Sequence, residues 1–283
     1  LGLTPGVFSL GPDAPAQAVV PPGETVIFTV SCAPESAGVQ EALLKVGVRQ
    51  FRLRVNVIEP PLPRPEFVIE LDEPGSARQG RVSVRFAEAA ATRGGGVVRL
   101  EFEPAPGLGP DPAVLFANGH PTAVFAVEAG EMSARFGERS WMEFQTGSTA
   151  GNLVFTIEGG GHHERHTLPI APAPVGISRT RAVRAGAFVE VEIAGWDNTR
   201  AVSELSFTFF DKSGKEVAPG AIRVDATEEF RRHFDTAGVG GVFLLRAVFP
   251  VTGGAGVIDA VQAALLNPAG TGQTGTLRLS GPD

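Results

Sequence analysis

Glu24-Thr25-Val26-Ile27-Phe28-Thr29-Val30-Ser31-Cys32, Ala42-Leu43-Leu44-Lys45-Val46 and Phe51-Arg52-Leu53-Arg54-Val55-Asn56-Val57 are the three stretches whose reading decides the fold. The first is dense in β-branched and aromatic residues and ends at Pro34. A turn at Gly38 leads to the second, and the third alternates apolar with polar residues until Glu59-Pro60-Pro61 stops it. This is the texture of short antiparallel strands. Three strands cannot bury both faces of a sheet, and the residues before Val26 read as loop. Residues 1–58 therefore look like the back half of a β-sandwich whose front half is missing.

Outward from that segment the texture repeats. Strands are expected at 67–71, 81–86, 97–102, 122–127, 141–144 and 152–158, and again at 188–193, 204–210, 242–249 and 275–279, each bounded by Gly or Pro. Gly 36 and Pro 23 in 283 residues, with 43% hydrophobic content, place the surplus in turn chemistry rather than disorder. No 3.6-residue apolar period is sustained. A short helix is expected at 227–234, with Glu228 and Glu229 in its first turn, and 258–266 reads equally as helix or strand. Asp211-Lys212-Ser213-Gly214-Lys215 reads as a hairpin turn. The expected organisation is a partial domain at 1–58, a stiff Pro-rich linker at 59–65, a sandwich at 66–169, a second linker at 170–175 and a sandwich at 176–283.

Residues 1–58 resemble the abnormal-spindle/hydin (choice-of-anchor D) type of immunoglobulin-like module found in large secreted bacterial proteins. Pro22-Gly23, the strand Val26 to Cys32, Pro34, Gly38 and the strand Leu43 to Val46 carry the likeness, with Cys32 standing where that family usually has a large apolar residue. Residues 66–283 resemble tandem immunoglobulin-like modules of bacterial surface proteins. There the likeness rests on Phe144-Gln145-Thr146-Gly147-Ser148-Thr149-Ala150-Gly151, Gly195-Trp196-Asp197-Asn198-Thr199-Arg200 and Phe249-Pro250-Val251-Thr252-Gly253. The resemblance implies tandem immunoglobulin-like β-sandwiches, the first incomplete, in an extracellular protein, and it transfers no catalytic residue.

Composition narrows the function classes. A net charge of −7 offers no basic stripe for nucleic acid, and no apolar run is long enough to span a membrane as a helix. Residue 1 is Leu and no signal peptide is evident, so the expectation is a mature product or a fragment. Cys32 is the only cysteine, which excludes an internal disulfide; it reads as a small buried hydrophobe, with an intermolecular disulfide or reactive thiol as the alternative. His162-His163-Glu164-Arg165-His166 invites a metal. After Gly159-Gly160-Gly161, however, it reads as an exposed hairpin tip; on an extended strand His162, Glu164 and His166 would share one face. Gly94-Gly95-Gly96 lacks the following helix of a phosphate loop. Asp197-Asn198 and Asp211 with Ser213 could hold calcium, but turn formation explains them. Asp72-Glu73 and Glu228-Glu229 sit at turns or a helix start. A glycan platform needs exposed Trp or Tyr, and the chain has no Tyr and only Trp141 and Trp196. No catalytic, cofactor or metal residue is assigned.

Assembly is what remains. The strand carrying Phe51, Leu53, Val55 and Val57 is expected to be an acceptor edge for a strand from another copy of the chain. The tail strand with Leu277 and Leu279 is the expected donor, and Val7-Phe8-Ser9-Leu10 a second one. Head-to-tail donation builds an open filament or surface fibre. The alternative is an adhesin or carbohydrate-binding stalk module of a larger surface protein, whose partners would be other surface proteins or glycans.

Overall fold

A computed structural model of the chain describes residues 1–34, 38–57, 61–252 and 255–281. The fold is all-β with several antiparallel sheets and one short helix, and it divides into two compact units, Leu1–Pro61 and Leu62–Asp283.

The first unit holds β1 (Gly2–Leu3), β2 (Phe8–Leu10), β3 (Val30–Cys32), β4 (Gly38–Val46) and β5 (Arg49–Val57). They form one three-stranded sheet in the order β1-β4-β5 and a separate ribbon β2-β3. The β4–β5 hairpin turns on Gly47 and Val48, and Gly47 takes the positive φ of 59° that a two-residue turn requires. The expected strand at 24–32 shrinks to β3. Among the described residues no strand pairs with Thr25 to Phe28, and a strand-like sequence without a ladder does not become one. Their flank is held otherwise: the Thr29 backbone N–H and hydroxyl both donate to the Asp13 carboxylate, at 2.9 and 3.0 Å. The residues before Val26 are not all loop, since β1 and β2 pair with β4 and β3.

The second unit contains two sandwiches. The first is built from β6 (Pro65–Glu70), β7 (Gln79–Phe86), β8 (Gly94–Pro104), β9 (Thr122–Val127), β10 (Met142–Gln145), β11 (Gly151–Gly159) and β12 (His162–Ile170). Its sheets run β10-β7-β6 and β12-β11-β8-β9. Between them lie Val82, Val84, Leu100, Phe116, Phe144, Leu153 and Phe155, all essentially inaccessible. The other sandwich comprises β13 (Gly176–Ala185), β14 (Phe188–Trp196), β15 (Glu204–Phe210), β16 (Ile222–Asp225), α1 (Thr227–Ala237), β17 (Val242–Pro250), β18 (Ala260–Asn267), β19 (Gly270–Gln273) and β20 (Leu277–Arg278). Sheet β13-β14-β17 faces β16-β15-β18 with β19 and β20 alongside β18. Helix α1 closes one part of that core with Phe230 and Phe234. Glu228 and Glu229 do fall in its first turn, and Gly238 ends it in the left-handed conformation. Each buried Phe or Leu of these cores contributes about 1.5–3 kcal/mol relative to exposure.

All six strands expected in 66–169 are present, and β12 is an addition. Residues 258–266 settle as strand β18. Ile58, Glu59 and Pro60 of the first expected boundary, and Gly253 of the surface-protein motif, lie outside the described residues. Residues 62–65 are part of the first sandwich rather than a spacer: Leu62 is buried in its core and Pro65 begins β6.

Candidate functional site: an open sheet edge

Leu43 fixes the polarity of the β1-β4-β5 sheet. Its carbonyl accepts from the Thr4 N–H at 3.1 Å and its own N–H donates to Thr4 Oγ1 at 2.8 Å, so its backbone faces β1. Antiparallel pairing alternates, so Gly38, Gln40, Ala42 and Leu44 bond across to Val57, Val55, Leu53 and Phe51. The N–H and C=O groups of Gln50, Arg52, Arg54 and Asn56 consequently point away from β4. Among the described residues no strand pairs with them.

The side chains of this edge sort by face. Phe51, Leu53, Val55 and Val57 share the face of Ala42 and Leu44, which among the described residues of the first unit are the only two buried apolar ones. Leu53, Val55 and Val57 are half-buried, and Phe51 is 47% exposed. The opposite face carries Arg52 and Arg54, which share one carboxylate, Glu41, at 3.9 and 3.7 Å. The four residues expected to accept a strand are thus in register on an open edge.

The expected donors are engaged at home. β20 pairs with β18 through Leu277↔Val261 and Arg278↔Ala260, and Leu277 and Leu279 pack against the core of their own sandwich. The Leu279 N–H donates to Asp259 O at 2.8 Å and the Ser280 N–H to Ala182 O at 3.0 Å. Phe8 to Leu10 is likewise paired, as β2 with β3. Cys32 sits there opposite Phe8 and is only half-buried, because the two-stranded ribbon cannot cover it.

The histidine cluster is strand, not turn. Gly160 and Gly161, both at positive φ, make the tip, and β12 follows. His162, Glu164 and His166 do share a face, and it buckles onto the lead-in to β6. His162 Nε2 lies 2.7 Å from Leu62 O, Glu164 pairs with Arg64 at 2.9 Å, and the His166 ring tilts against Phe67. Trp141 lies under the Arg81 guanidinium, 5.0 Å from the ring centre. Asp211 accepts from Ser213 and Lys215 in its turn, which holds its carboxyl below the usual range.

A second constellation, not legible in the sequence, joins the two sandwiches of the second unit. Asp197 is wholly buried and accepts four bonds: from the Thr199 N–H and hydroxyl, the Asn267 amide and the Ala201 N–H, at 2.6–3.0 Å. Its neighbour Asn198 donates to Ser76 Oγ and to Ala171 O and accepts from the Ala173 N–H. Across the junction Asp111 accepts from the Ser148 N–H and hydroxyl, and Ser148 Oγ in turn accepts from the Gly241 N–H at 2.9 Å. Arg200 Nη2 donates to Pro110 O and Thr149 Oγ1, and burial pulls its guanidinium below the ordinary arginine value, with Asp111 opposing. Gly241 admits no side chain, since a Cβ there would collide with the carbonyls of Asp197 and Ser148. The segment expected as a second linker is bound into this network. A cleft of about 950 Å³ opens beside it, lined among others by Asp72, Glu73, Arg78, Gln145 and Val242, with Glu73 and Arg78 paired at 3.8 Å.

No protein-family model matches the sequence, and no curated protein matches it. Among solved structures the chain is similar to red sea bream transglutaminase, at 10% identity and a TM-score of 0.26 over 77% of this chain. It spans 32% of that protein's length. A likeness at that level carries no argument.

Proposed function

We propose that this is a non-enzymatic structural protein that joins polypeptides by β-strand addition at the free edge of β5. The observation that carries the reading is the pairing of two unmet needs on one strand: outward backbone groups without a ladder, and an apolar face that its own unit leaves half-covered. An added strand satisfies both at once. The two-sandwich unit then acts as the body that the joint connects. Copies joined head to tail would form a filament or surface fibre, and joining to a different chain would make the protein a stalk element. The kinship with immunoglobulin-like modules of secreted bacterial proteins, and with it a cell-surface location, belongs to the same proposal.

The test uses proline. At Asn56 the N–H points outward, so Asn56→Pro blocks an incoming strand without removing a bond to β4. Exchange protection of the Gln50, Arg52 and Arg54 amides when an extended peptide is added to the intact chain is expected, and this variant should lose it; negative-stain electron microscopy then tells copies joined to one another from a chain that waits for a different partner. A wild-type chain that is a single particle, with the amides of Gln50, Arg52, Arg54 and Asn56 already protected from hydrogen exchange, would sink the proposal.

A further inference from the structure

From the charges flanking the β5 edge we infer the chemistry of the strand it accepts: an extended segment of a partner polypeptide in which apolar and acidic side chains alternate. The inference rests on the strand-addition reading and adds the partner's identity to it.

An incoming strand places its side chains in register with those of β5. Residues opposite Phe51, Leu53, Val55 and Val57 fall on the half-covered apolar face. Those opposite Arg52 and Arg54 fall on the other, where the two arginine side chains are 72% and 67% exposed. Lys45, Arg49, Arg52 and Arg54 are the only cationic residues in 1–61, and all lie in the β4–β5 hairpin. Against them this hairpin sets a single carboxylate, Glu41, at distances that give a weak surface pair. In a chain of net charge −7, the cations of this unit thus gather on the hairpin that carries the open β5 edge. An acidic residue opposite Arg52 or Arg54 completes the pair, while a basic one is repelled.

This distinguishes the partner from the tail of another copy. With Leu277 and Leu279 on the apolar face, Arg278 would fall on the arginine face, and the tail would also have to leave its bonds to Asp259 and Ala182. The occupant is a different segment.

Three synthetic peptides decide the matter against the intact wild-type chain: Gly-Val-Glu-Val-Glu-Val-Gly, its Lys-for-Glu counterpart, and Gly-Thr-Leu-Arg-Leu-Ser from the tail. Binding is read by fluorescence anisotropy and by exchange protection at the Arg52 and Arg54 amides. The acidic peptide is expected to bind at least about tenfold tighter than either of the others, with the preference fading as salt screens it. In the Arg52→Glu/Arg54→Glu variant the preference should reverse towards the Lys peptide. Equal binding of the Glu and Lys peptides, or tightest binding of the tail peptide, overturns the charge inference and leaves strand addition standing. No binding by any of the three overturns strand addition itself.

Discussion

The two units of this chain treat the same kind of sequence differently. In the second, alternating strands close on each other: Phe155 lies between two sheets with Phe67, Phe116 and Phe144 around it. In the first, Leu53 alternates just as well but stands on a three-stranded sheet, and Phe51 beside it on the same face remains exposed. The difference teaches that alternation specifies a strand and its faces but not whether a second layer arrives to cover them. Coverage depends on how many strands a unit contributes.

The comparison can be broken first at the cores. Phe155→Ala should cost about 3–5 kcal/mol in urea denaturation of the second unit, whereas Leu53→Ala should cost under about 1 kcal/mol, since little packed surface is lost. Equal large losses would mean the first unit has a closed core after all. The junction comes next. Asp197→Ala leaves buried donors from Thr199, Ala201 and Asn267 unmet and should cost about 2 kcal/mol or more. Calorimetry is expected to split one transition for residues 62–283 into two. Gly241→Ala forces the Gly240–Gly241 turn away from Ser148, a clash worth roughly 1–3 kcal/mol, visible as faster exchange of the Gly241 amide.

The smallest effect is electrostatic. Glu190 is held below its ordinary value of 4.5 by the Arg246 guanidinium, bonded to it at 2.6 and 2.7 Å. A depressed carboxylate stabilises the folded state above its ordinary value and stops doing so as pH falls through the folded one. The Tm advantage of the wild type over Glu190→Gln should therefore shrink as pH drops from about 6 to about 3.

Much of this fold is legible in the residues. The runs at 122–127 and 204–210 coincide with β9 and β15, and Gly214 marks its turn with φ 80°. What escapes is instructive. β12 is a polar edge strand, so its only signal is the register it takes opposite β11, in which His166 meets Phe155 and His162 meets Gly159. Thr25 to Phe28 carry the strongest strand propensity in the first unit and form none. The strand β5 and its apolar face were readable because alternation is a local property. The engagement of Leu277 and Leu279 was not, since pairing with β18 is a long-range fact. The junction failed for the same reason: Asp111, Ser148, Asp197 and Asn267 are far apart in sequence and individually look like turn residues. Only the Asp197-Asn198 turn could be anticipated, and its service to two sandwiches could not.

That network also bears on how the protein can be dissected. A cut anywhere between Ile170 and Gly176 would look harmless on the page, falling in a short proline-rich connection. It would leave one fragment with Asn198 facing solvent and the other with Ser148 and Thr149 stripped of Gly241 and Arg200. Fragments ending there should be less stable than the joined pair, and the smallest piece worth expressing on the C-terminal side begins at Leu62.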